Sequence, residues 1–390
     1  MQVPLNYSLR SVWVRRSGSL ATVGGVALVV FVLAASQMLA AGLRRTLGSA
    51  GSPDRAIVLQ QSAYAEPNSQ LKQALLGVIA AAPGVRSGND GSPLVTGESA
   101  VQAMLPSADD PERVVSVLVR GVSANVLQLR PSVRIVRGRA PQPGTDEAMV
   151  GARVVGRYRG LEPGGALELE SGRRIMIVGV FEAGGSAYES EVWADLDAVR
   201  TSLSWEGYLS SVTVQLASAS AFPGFAREIE LQSSSEAFAE RESSYYQRIS
   251  RGLSALITSL GGLIAGIFSL GAMLGAAITM YSSVGQRTKE IGVFRALGFK
   301  KKDVLAALLI ESATLAVAGS VVGMGLAIST SLFELATMNG VTGSQITIRF
   351  QPTLPIVAGS VLTGTFVGLL GGLFPALKAA RLDPIEAIKN

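Results

Sequence analysis

Residues Gly252 to Gln286 read GLSALITSLGGLIAGIFSLGAMLGAAITMYSSVGQ and contain no charged side chain. A helix needs about 20 predominantly apolar residues to cross the hydrocarbon core of a bilayer, and this run of 35 residues exceeds that length. Backbone polar groups must find partners within the chain in hydrocarbon, and a helix satisfies all of them internally. The stretch therefore predicts a transmembrane helix, and with it a membrane protein.

Three further runs are long enough to span a membrane. They are Ser17–Leu43, Val304–Phe333, which is interrupted only by Glu311, and Phe350–Leu377. The first follows basic residues, as the apolar region of a secretory signal does, but its 27 residues exceed the roughly 7 to 15 of such a region. No clean cleavage site closes it. We therefore expect four transmembrane helices, the first of them retained.

The 208 residues from Arg44 to Arg251 separate the first span from the second and are long enough for a folded domain. Short β-rich runs flank Ser171 and Gly172, a pattern that predicts a hairpin. Strands are predicted at 56–60, 114–120, 166–170, 175–181 and 212–216, and helices at 69–82, at 225–232 and from 236 into the second span. The predicted fold class is a membrane protein with four transmembrane α-helices and a large mixed α/β domain between the first and second spans.

The net charge of +5 is distributed unevenly. Basic residues exceed acidic ones before the first span, in 287–303 and in the carboxyl-terminal tail, whereas 44–251 contains 21 basic and 23 acidic residues. Of the seven lysines, only Lys72 lies in that large segment. The positive-inside rule places both termini and 287–303 in the cytoplasm. Because topology accounts for the basic charge, and no basic and aromatic groove pattern accompanies it, we expect no nucleic-acid partner.

The chain contains no His and no Cys. This excludes zinc sites of the His/Cys type, thiol nucleophiles, disulfides and catalytic triads with an imidazole base. We expect no metal or cofactor site in the chain. A membrane hydrolase that uses a serine with Lys72 is a distant alternative, because no local motif supports it.

Glu311 is the only acidic residue inside a predicted span. Intramembrane carboxylates are functional candidates by default. Glu311 lies near the cytoplasmic end of its span, where it can reach the interface or pair with a basic loop residue. We expect one of these structural roles and not proton coupling, because no second intramembrane charge completes a relay.

The segment after the second span reads QRTKEIGVFRALGFKKKDV, Gln286–Val304. Its spacing predicts a short amphipathic helix with Ile291, Phe294 and Leu297 on one side and Gly298 as its C-cap. The basic residues lie outside that apolar side. A basic amphipathic helix with no further feature is typical of the membrane surface.

This segment resembles the coupling-helix signature of the MacB/FtsX-type, or type VII, ABC transporter permeases. The tail PALKAARLDPIEAIKN, Pro375–Asn390, is similar to the terminal signature of that family. One span, a large outer domain and three further spans match the family topology. Residues 120–139 and 147–181 resemble the periplasmic core of the MacB-like branch. The chain departs from the coupling-helix pattern at Phe294, where a basic or polar residue is common.

The resemblance implies a multi-pass protein of the bacterial inner membrane, with both termini cytoplasmic and the large domain periplasmic. The implied boundaries are 1–16 for a cytoplasmic or interfacial helix, 17–43, 252–286, 304–333 and 350–375 for the spans, 44–251 for the periplasmic domain, 287–303 for the coupling-helix loop, 334–349 for a short periplasmic loop and 376–390 for the cytoplasmic tail.

Members of this family work with an ABC ATPase. The 390 residues contain no Gly-x-x-x-x-Gly-Lys-Ser/Thr phosphate loop, so the resemblance implies that a separate ATPase subunit binds ATP and Mg and that this chain is not itself an enzyme. The implied ATPase-coupling residues are Arg287, Lys289, Glu290, Ile291, Gly292, Arg295, Leu297 and Gly298. We expect Glu290 and Arg295 to supply the charged contacts, and Ile291 and Leu297 the apolar anchors.

The resemblance further implies two permease copies, identical or paralogous, on two ATPase copies, in contact with membrane lipids and with a periplasmic membrane-fusion adaptor. ATP-driven closure would move the periplasmic domains through rigid stalk helices, which is called mechanotransmission, to export or extract an amphiphilic or envelope-associated substrate. The alternative is an FtsX-like regulator that transmits ATPase strokes to a periplasmic enzyme such as a cell-wall hydrolase. The length and MacB-like pattern of 44–251 favour transport.

Overall fold

The computed structural model describes residues 16–88, 90–169, 171–339 and 342–381. Its backbone contacts divide the chain into two units. We call the first the membrane unit; it consists of the described residues within Met1–Gly42, Ser254–Glu334 and Arg349–Asn390. We call the second the sheet unit; it consists of the described residues within Leu43–Leu253 and Leu335–Ile348. The predicted interfacial helix before Arg16 and the tail beyond Arg381 lie outside the described residues.

The secondary structure is defined by the following elements. The helices are α1 (Arg16–Gly48), α2 (Leu75–Ala81), α3 (Val126–Leu129), α4 (Leu196–Ser202), α5 (Phe222–Gln232), α6 (Glu242–Gln286), α7 (Thr288–Ala296), α8 (Lys301–Ser329) and α9 (Leu354–Ala380). The strands are β1 (Arg55–Gln60), β2 (Leu71–Lys72), β3 (Val95–Pro106), β4 (Val114–Val122), β5 (Arg134–Gly138), β6 (Glu147–Gly151), β7 (Ala166–Glu168), β8 (Arg174–Glu182), β9 (Glu191–Asp195), β10 (Tyr208–Leu209), β11 (Ser211–Gln215), β12 (Ala237–Arg241), β13 (Glu334–Met338) and β14 (Gln345–Arg349).

Within the described residues, four helices, α1, α6, α8 and α9, are long and apolar enough to cross a membrane. This agrees with the four spans expected from the uncharged runs, although α1 and α6 extend past their runs. Helix α6 is a single helix of 45 residues, which corresponds to about 68 Å at 1.5 Å per residue. Its length exceeds what a bilayer core of about 30 Å requires.

Helix α9 extends past residue 375, where the last span was expected to end. The helix continues to Ala380, with the proline inside it. Proline removes one intrahelical hydrogen bond, but Ala376 and Ala379 beyond it are buried in an apolar cluster with residues of the other spans. Tertiary packing on both sides of the proline therefore holds the helical backbone.

Small residues bring the spans of the membrane unit together. Val26 and Val30 of α1 pack against Met324 of α8 and Ile356 of α9, and Gly323 of α8 lies directly against the backbone of α1. In lipid, helix association depends on such close packing because the hydrophobic effect between helices is absent. The glycine-rich composition of the spans thus serves contacts between helices at some positions.

Gly323 and Gly325 provide a matched pair for testing this packing. A Cβ atom at Gly323 would overlap the carbonyl oxygen of Ala27, whereas a Cβ atom at Gly325 meets nothing within 4 Å. We expect Gly323→Ala to cost about 1–3 kcal/mol of stability through overpacking, seen as a lower unfolding temperature in detergent. Gly325→Ala should be neutral or slightly stabilising, because alanine is the better helix former. Equal unfolding temperatures for the two variants would contradict the assigned α1–α8 contact.

The sheet unit is built on a ten-stranded sheet, counted over the described residues, in the order β12-β1-β11-β3-β4-β9-β6-β8-β5, with β7 paired to β8. Most neighbours are antiparallel, but β4 pairs with β9 and β6 with β8 in parallel. Two apolar clusters flank the sheet: one includes Val119 and Ile177, and the other joins Val214 to Phe225 of α5. The predicted mixed α/β class is confirmed.

Individual elements of this unit agree with the sequence patterns to different degrees. The hairpin around Ser171-Gly172 is confirmed as the antiparallel pair β7–β8. The predicted helix 69–82 is wrong in its first half, because Leu71 and Lys72 pair with β10 and the helix begins at Leu75. The helix expected from residue 236 begins at Glu242, since 237–241 form β12 against β1. Strand pairing outweighs local helix preference in both places.

Candidate functional site

The segment between α6 and α8 forms a compact helical turn. Only Arg287 separates the end of α6 from the start of α7, and it is the N-cap of α7. Gly298 follows it at φ +96°, a left-handed conformation that glycine adopts at no steric cost. The backbone N–H of Lys300 then donates to the Asp303 carboxylate at 2.9 Å and begins α8. The predicted short helix with a glycine at its end is confirmed.

One face of α7 is fixed to the spans. Ile291 is 6% exposed and belongs to a buried apolar cluster, and Gly292 beside it is also buried. The other members of this cluster are Met280, Val284, Val304, Leu308, Ala376 and Ala379. They come from α6, α8 and α9, so Ile291 connects the short helix to three spans at once.

The opposite face of α7 is exposed and partly apolar. Leu297 is 68% exposed and Val293 is 47% exposed, and Lys289 lies on the same exposed side. The prediction that Ile291 and Leu297 share one apolar side is wrong. Six residues correspond to about 600° around a helix of 3.6 residues per turn. The two side chains therefore point in directions about 120° apart. Ile291 is thus an internal anchor.

Val293 was not among the predicted site residues. It lies two positions from Ile291, about 200° around the helix, so its side chain emerges on the side away from the buried cluster. The sequence did contain a signal for Val293, because it is an apolar residue on the otherwise polar side of the amphipathic pattern. Together with Leu297 it forms the exposed apolar surface of α7, which we call the α7 outer face.

Some charged side chains of the loop make contacts within it, and others are exposed. Arg295 donates from Nη1 to the Phe299 carbonyl oxygen at 3.0 Å, and the rings of Phe294 and Phe299 meet edge to face with centroids 5.6 Å apart. Arg295 and Phe294 therefore stabilise the turn after α7. Lys289 and Glu290 are exposed.

Arg287 and Glu311 join the start of α7 to the span α8. The Arg287 guanidinium lies 3.3 Å from the Glu311 carboxylate, and the two side chains are 14% and 9% exposed. Beside Glu311 is a cavity of about 50 Å³, lined also by Thr22, Thr279 and Ser283, which is large enough to hold water. Of the two structural roles expected for Glu311, the structure shows the pairing with a basic loop residue.

Removal of the Glu311 carboxylate should loosen α7. In Glu311→Ala, Arg287 loses a charge-assisted contact, and we expect local opening of the loop to become easier by about 1 kcal/mol, or about fivefold. Trypsin cleavage at the basic residues of 287–303, followed by mass spectrometry on the protein in detergent, measures this opening. Glu334→Ala, which breaks the exposed pair with Arg349, is the control and should leave the rate unchanged. An unchanged rate in Glu311→Ala would show that the pair does not hold the helix.

Within the described residues, no group of three or more His, Cys, Asp or Glu is arranged to hold a metal ion. What the geometry provides is a short helix with one face anchored on the membrane unit and the other face available to a partner.

Comparisons with known proteins give the family. The family model described as MacB-like periplasmic core domain matches residues 19–231, and the one described as FtsX-like permease C-terminal matches residues 262–384. The uncharacterized ABC transporter permease YknZ of Bacillus subtilis is 36% identical over 35% of this chain and 32% of its own length. The macrolide export ATP-binding/permease protein MacB of Vibrio parahaemolyticus is 27% identical over 55% of this chain and 33% of its own length.

Among solved structures, the periplasmic region of MacB from Actinobacillus actinomycetemcomitans aligns with a TM-score of 0.37 and 12% identity over 50% of this chain and 92% of that one. The chain spans about a third of the length of the curated relatives it matches. The MacB-like core model alone covers more than half of the chain, and the FtsX-like model covers α7 and the last two spans. The chain therefore belongs to the MacB/FtsX-type family of ABC transporter permeases.

Proposed function

We propose that this protein is the permease subunit of a MacB-like ABC transporter and that α7 is the helix through which a separate ABC ATPase drives it. The observation that carries the proposal is the two-sided arrangement of α7. Ile291 fixes one face to three spans, while Val293 and Leu297 on the outer face are exposed. An exposed apolar pair on a short basic helix suits insertion into a cleft of a partner protein.

The same arrangement supports mechanotransmission. A single residue separates α7 from α6, and α6 is continuous from Gln286 back to Glu242, which belongs to the sheet unit. A displacement of α7 by ATPase closure would pass along this helix to the sheet unit. In this mechanism ATP and Mg bind to the ATPase, and this chain supplies no reacting group.

The proposed assembly contains two ATPase copies and two permease copies, identical or paralogous. A row of exposed aliphatic side chains on α6, including Leu263, Ile267, Leu274 and Ile278, is available for membrane lipids and for a second permease. The proposed setting is the bacterial inner membrane, with both termini cytoplasmic and the sheet unit periplasmic, where a membrane-fusion adaptor is a further partner.

We propose export or extraction of an amphiphilic or envelope-associated substrate. The matched relatives include proteins named for macrolide export and for pyoverdine export. The MacB-like core model matches residues 19–231, and this match favours transport over the FtsX-like regulation of a periplasmic enzyme.

The test is reconstitution with an ABC ATPase encoded beside this chain. The expected result is that the two proteins co-purify and that ATP hydrolysis in nanodiscs is faster with the permease than with the ATPase alone. The proposal would be contradicted if the ATPase does not bind the chain and hydrolyses ATP at the same rate with and without it. A neighbouring hydrolase gene in place of an adaptor gene would support the regulatory alternative.

A further inference from the structure

The sheet unit contains a buried ionic network that was not predicted from the sequence. Every member is less than one-tenth exposed. The members, referred to together as the ionic network, are Arg55, Glu66, Glu98, Arg120, Arg130, Glu191 and Glu242. Burying charges is costly unless each is paired and hydrogen-bonded, so a network of this size in the domain interior calls for an explanation.

Glu242 connects this network to helix α6. It lies in the first turn of α6 and is 1% exposed. Its carboxylate accepts from Nε of Arg55 at 2.5 Å, from the backbone N–H of Ser52 at 3.0 Å and from the hydroxyl of Tyr188 at 3.2 Å. Nη2 of Arg130 lies 3.7 Å away. Because a carboxylate at a helix amino terminus also interacts favourably with the helix dipole, the start of α6 is fixed in position and direction.

The chain leaving α1 reaches the same point. Arg55 donates from Nη2 to the carbonyl oxygen of Ala50 at 3.1 Å and from Nη1 to that of Leu129 at 3.0 Å. At Gly51 the two connections touch, since a Cβ atom there would lie 2.7 Å from the carbonyl oxygen of Glu242. The segment after the first span and the segment before the second are therefore held by one arginine and one carboxylate.

The network continues from this point into the middle of the sheet. Arg130 bonds Glu98 on β3 at 2.7 Å, and Glu98 bonds Arg120 on β4 at 2.7 Å. Arg120 also bonds Glu66 and Glu191, both at 2.8 Å. An ion pair at 3.7 Å between Glu242 and Arg130 therefore connects the first turn of α6 to a series of charge-assisted hydrogen bonds that runs through β3 and β4 to β9. Such hydrogen bonds are among the strongest in proteins.

Arg120, Arg130 and Glu98 are held in their charged forms. Burial alone would lower the pKa of Arg120 and of Arg130, but the surrounding carboxylates outweigh it and raise both pKa values well above the usual range. Burial alone would raise the pKa of Glu98, but Arg130 and Arg120 lower it. Charged pairs with defined directions resist sliding more than apolar contacts, which are non-directional.

We propose that Glu242 is the positioning residue of a joint that clamps both chain connections to the sheet, so that movement of α6 carries the sheet unit with it as one body. The transmitting role rests on the proposed function. The clamp at Glu242 does not depend on the proposed function, and the experiment distinguishes the clamp from the transmitting role.

The experiment uses spin labels on the full chain, which has no native cysteine. Met104→Cys on β3 and Gln247→Cys on α6 are exposed positions within the sheet unit. The distance between the labels is measured in nanodiscs with the ATPase, before and after trapping with ATP and vanadate. In the otherwise unchanged protein we expect one narrow distance that trapping does not alter, because helix and sheet move together.

In Glu242→Gln we expect a second distance that appears only after trapping, while stimulation of the ATPase is retained because the α7 outer face is intact. Glu240→Gln, which removes one charge of the nearby half-buried pair with Arg248, is the control and should retain one distance. Arg55→Lys keeps the charge but loses the hydrogen bonds to Ala50 and Leu129, and it should show a weaker form of the same change if Glu242→Gln does not fold.

The proposed joint is wrong if the label distances in Glu242→Gln and in Arg55→Lys match those of the parent protein both before and after trapping. A broadened distance that is the same with and without trapping would show a merely structural contact and would also overturn the transmitting role. If the ATPase fails to respond to the parent protein, the proposed function fails and the transmitting role fails with it.

Discussion

Leu297→Asp is expected to abolish stimulation of the partner ATPase while leaving the permease folded in the membrane. Leu297 is 68% exposed at the end of α7, so the substitution removes little internal packing. In the complex, the proposed cleft would have to bury a carboxylate in place of an apolar side chain, which is costly. The loss at such an anchor is about 2 kcal/mol or more, or about thirtyfold in affinity.

The measurement is ATP turnover and co-purification in nanodiscs, with Leu297→Asp compared to Leu231→Asp. Leu231 of α5 is also 68% exposed but lies in the sheet unit, so the same substitution there controls for surface charge and expression. Val293→Asp should behave as Leu297→Asp does. Full stimulation in both outer-face variants would show that the ATPase engages the chain elsewhere.

Arg120→Met should destabilise the sheet unit by about 3–5 kcal/mol, which is the typical cost of removing one partner of a buried ion pair. Arg120 is 1% exposed and bonds three carboxylates, those of Glu66, Glu98 and Glu191. Methionine fills similar space, so the variant tests charge and not volume. Without the guanidinium, the three carboxylates remain buried and close together.

Denaturation of the full chain in detergent, followed by tryptophan fluorescence, measures this effect. Trp193 is fully buried and its indole N–H donates to Glu191 at 2.8 Å, so its emission reports on the network. The control is Arg139→Met, which breaks an ion pair with Glu147 in which the arginine is 50% exposed; such pairs contribute about 0–1 kcal/mol. Equal midpoints for the two variants would mean that the buried charges are not held as the structure indicates.

Sequence patterns predicted the sheet unit where the signal was local. The β7–β8 hairpin follows from two β-rich runs around Ser171-Gly172, and it is present. The start of α6 was misplaced because 237–241 have no strong strand signature and become a strand only through pairing with β1. Neighbours that are distant in sequence decide such edges, and no local pattern contains them.

The ionic network shows a second kind of limit. Arg120 lies within the apolar strand VVSVLVRGV, Val114–Val122, and a charge inside a buried strand is a signal that a partner must exist. The identity of the partners depends on which strands are adjacent. Since Glu191 comes from a parallel neighbour 71 residues away, the pairing follows from the topology alone.

The amino-acid sequence by itself determined the number of spans, the α/β class of the large domain, the existence of α7 and the family resemblance, because these depend on length, hydropathy, charge and local spacing. Only the tertiary structure decided that Ile291 faces inward and Leu297 outward, that α9 continues past Pro375, that Glu311 pairs with Arg287 and that Glu242 joins both chain connections. The physical reason is that the burial of a side chain is set by the elements packed around it, and those elements are distant in the chain.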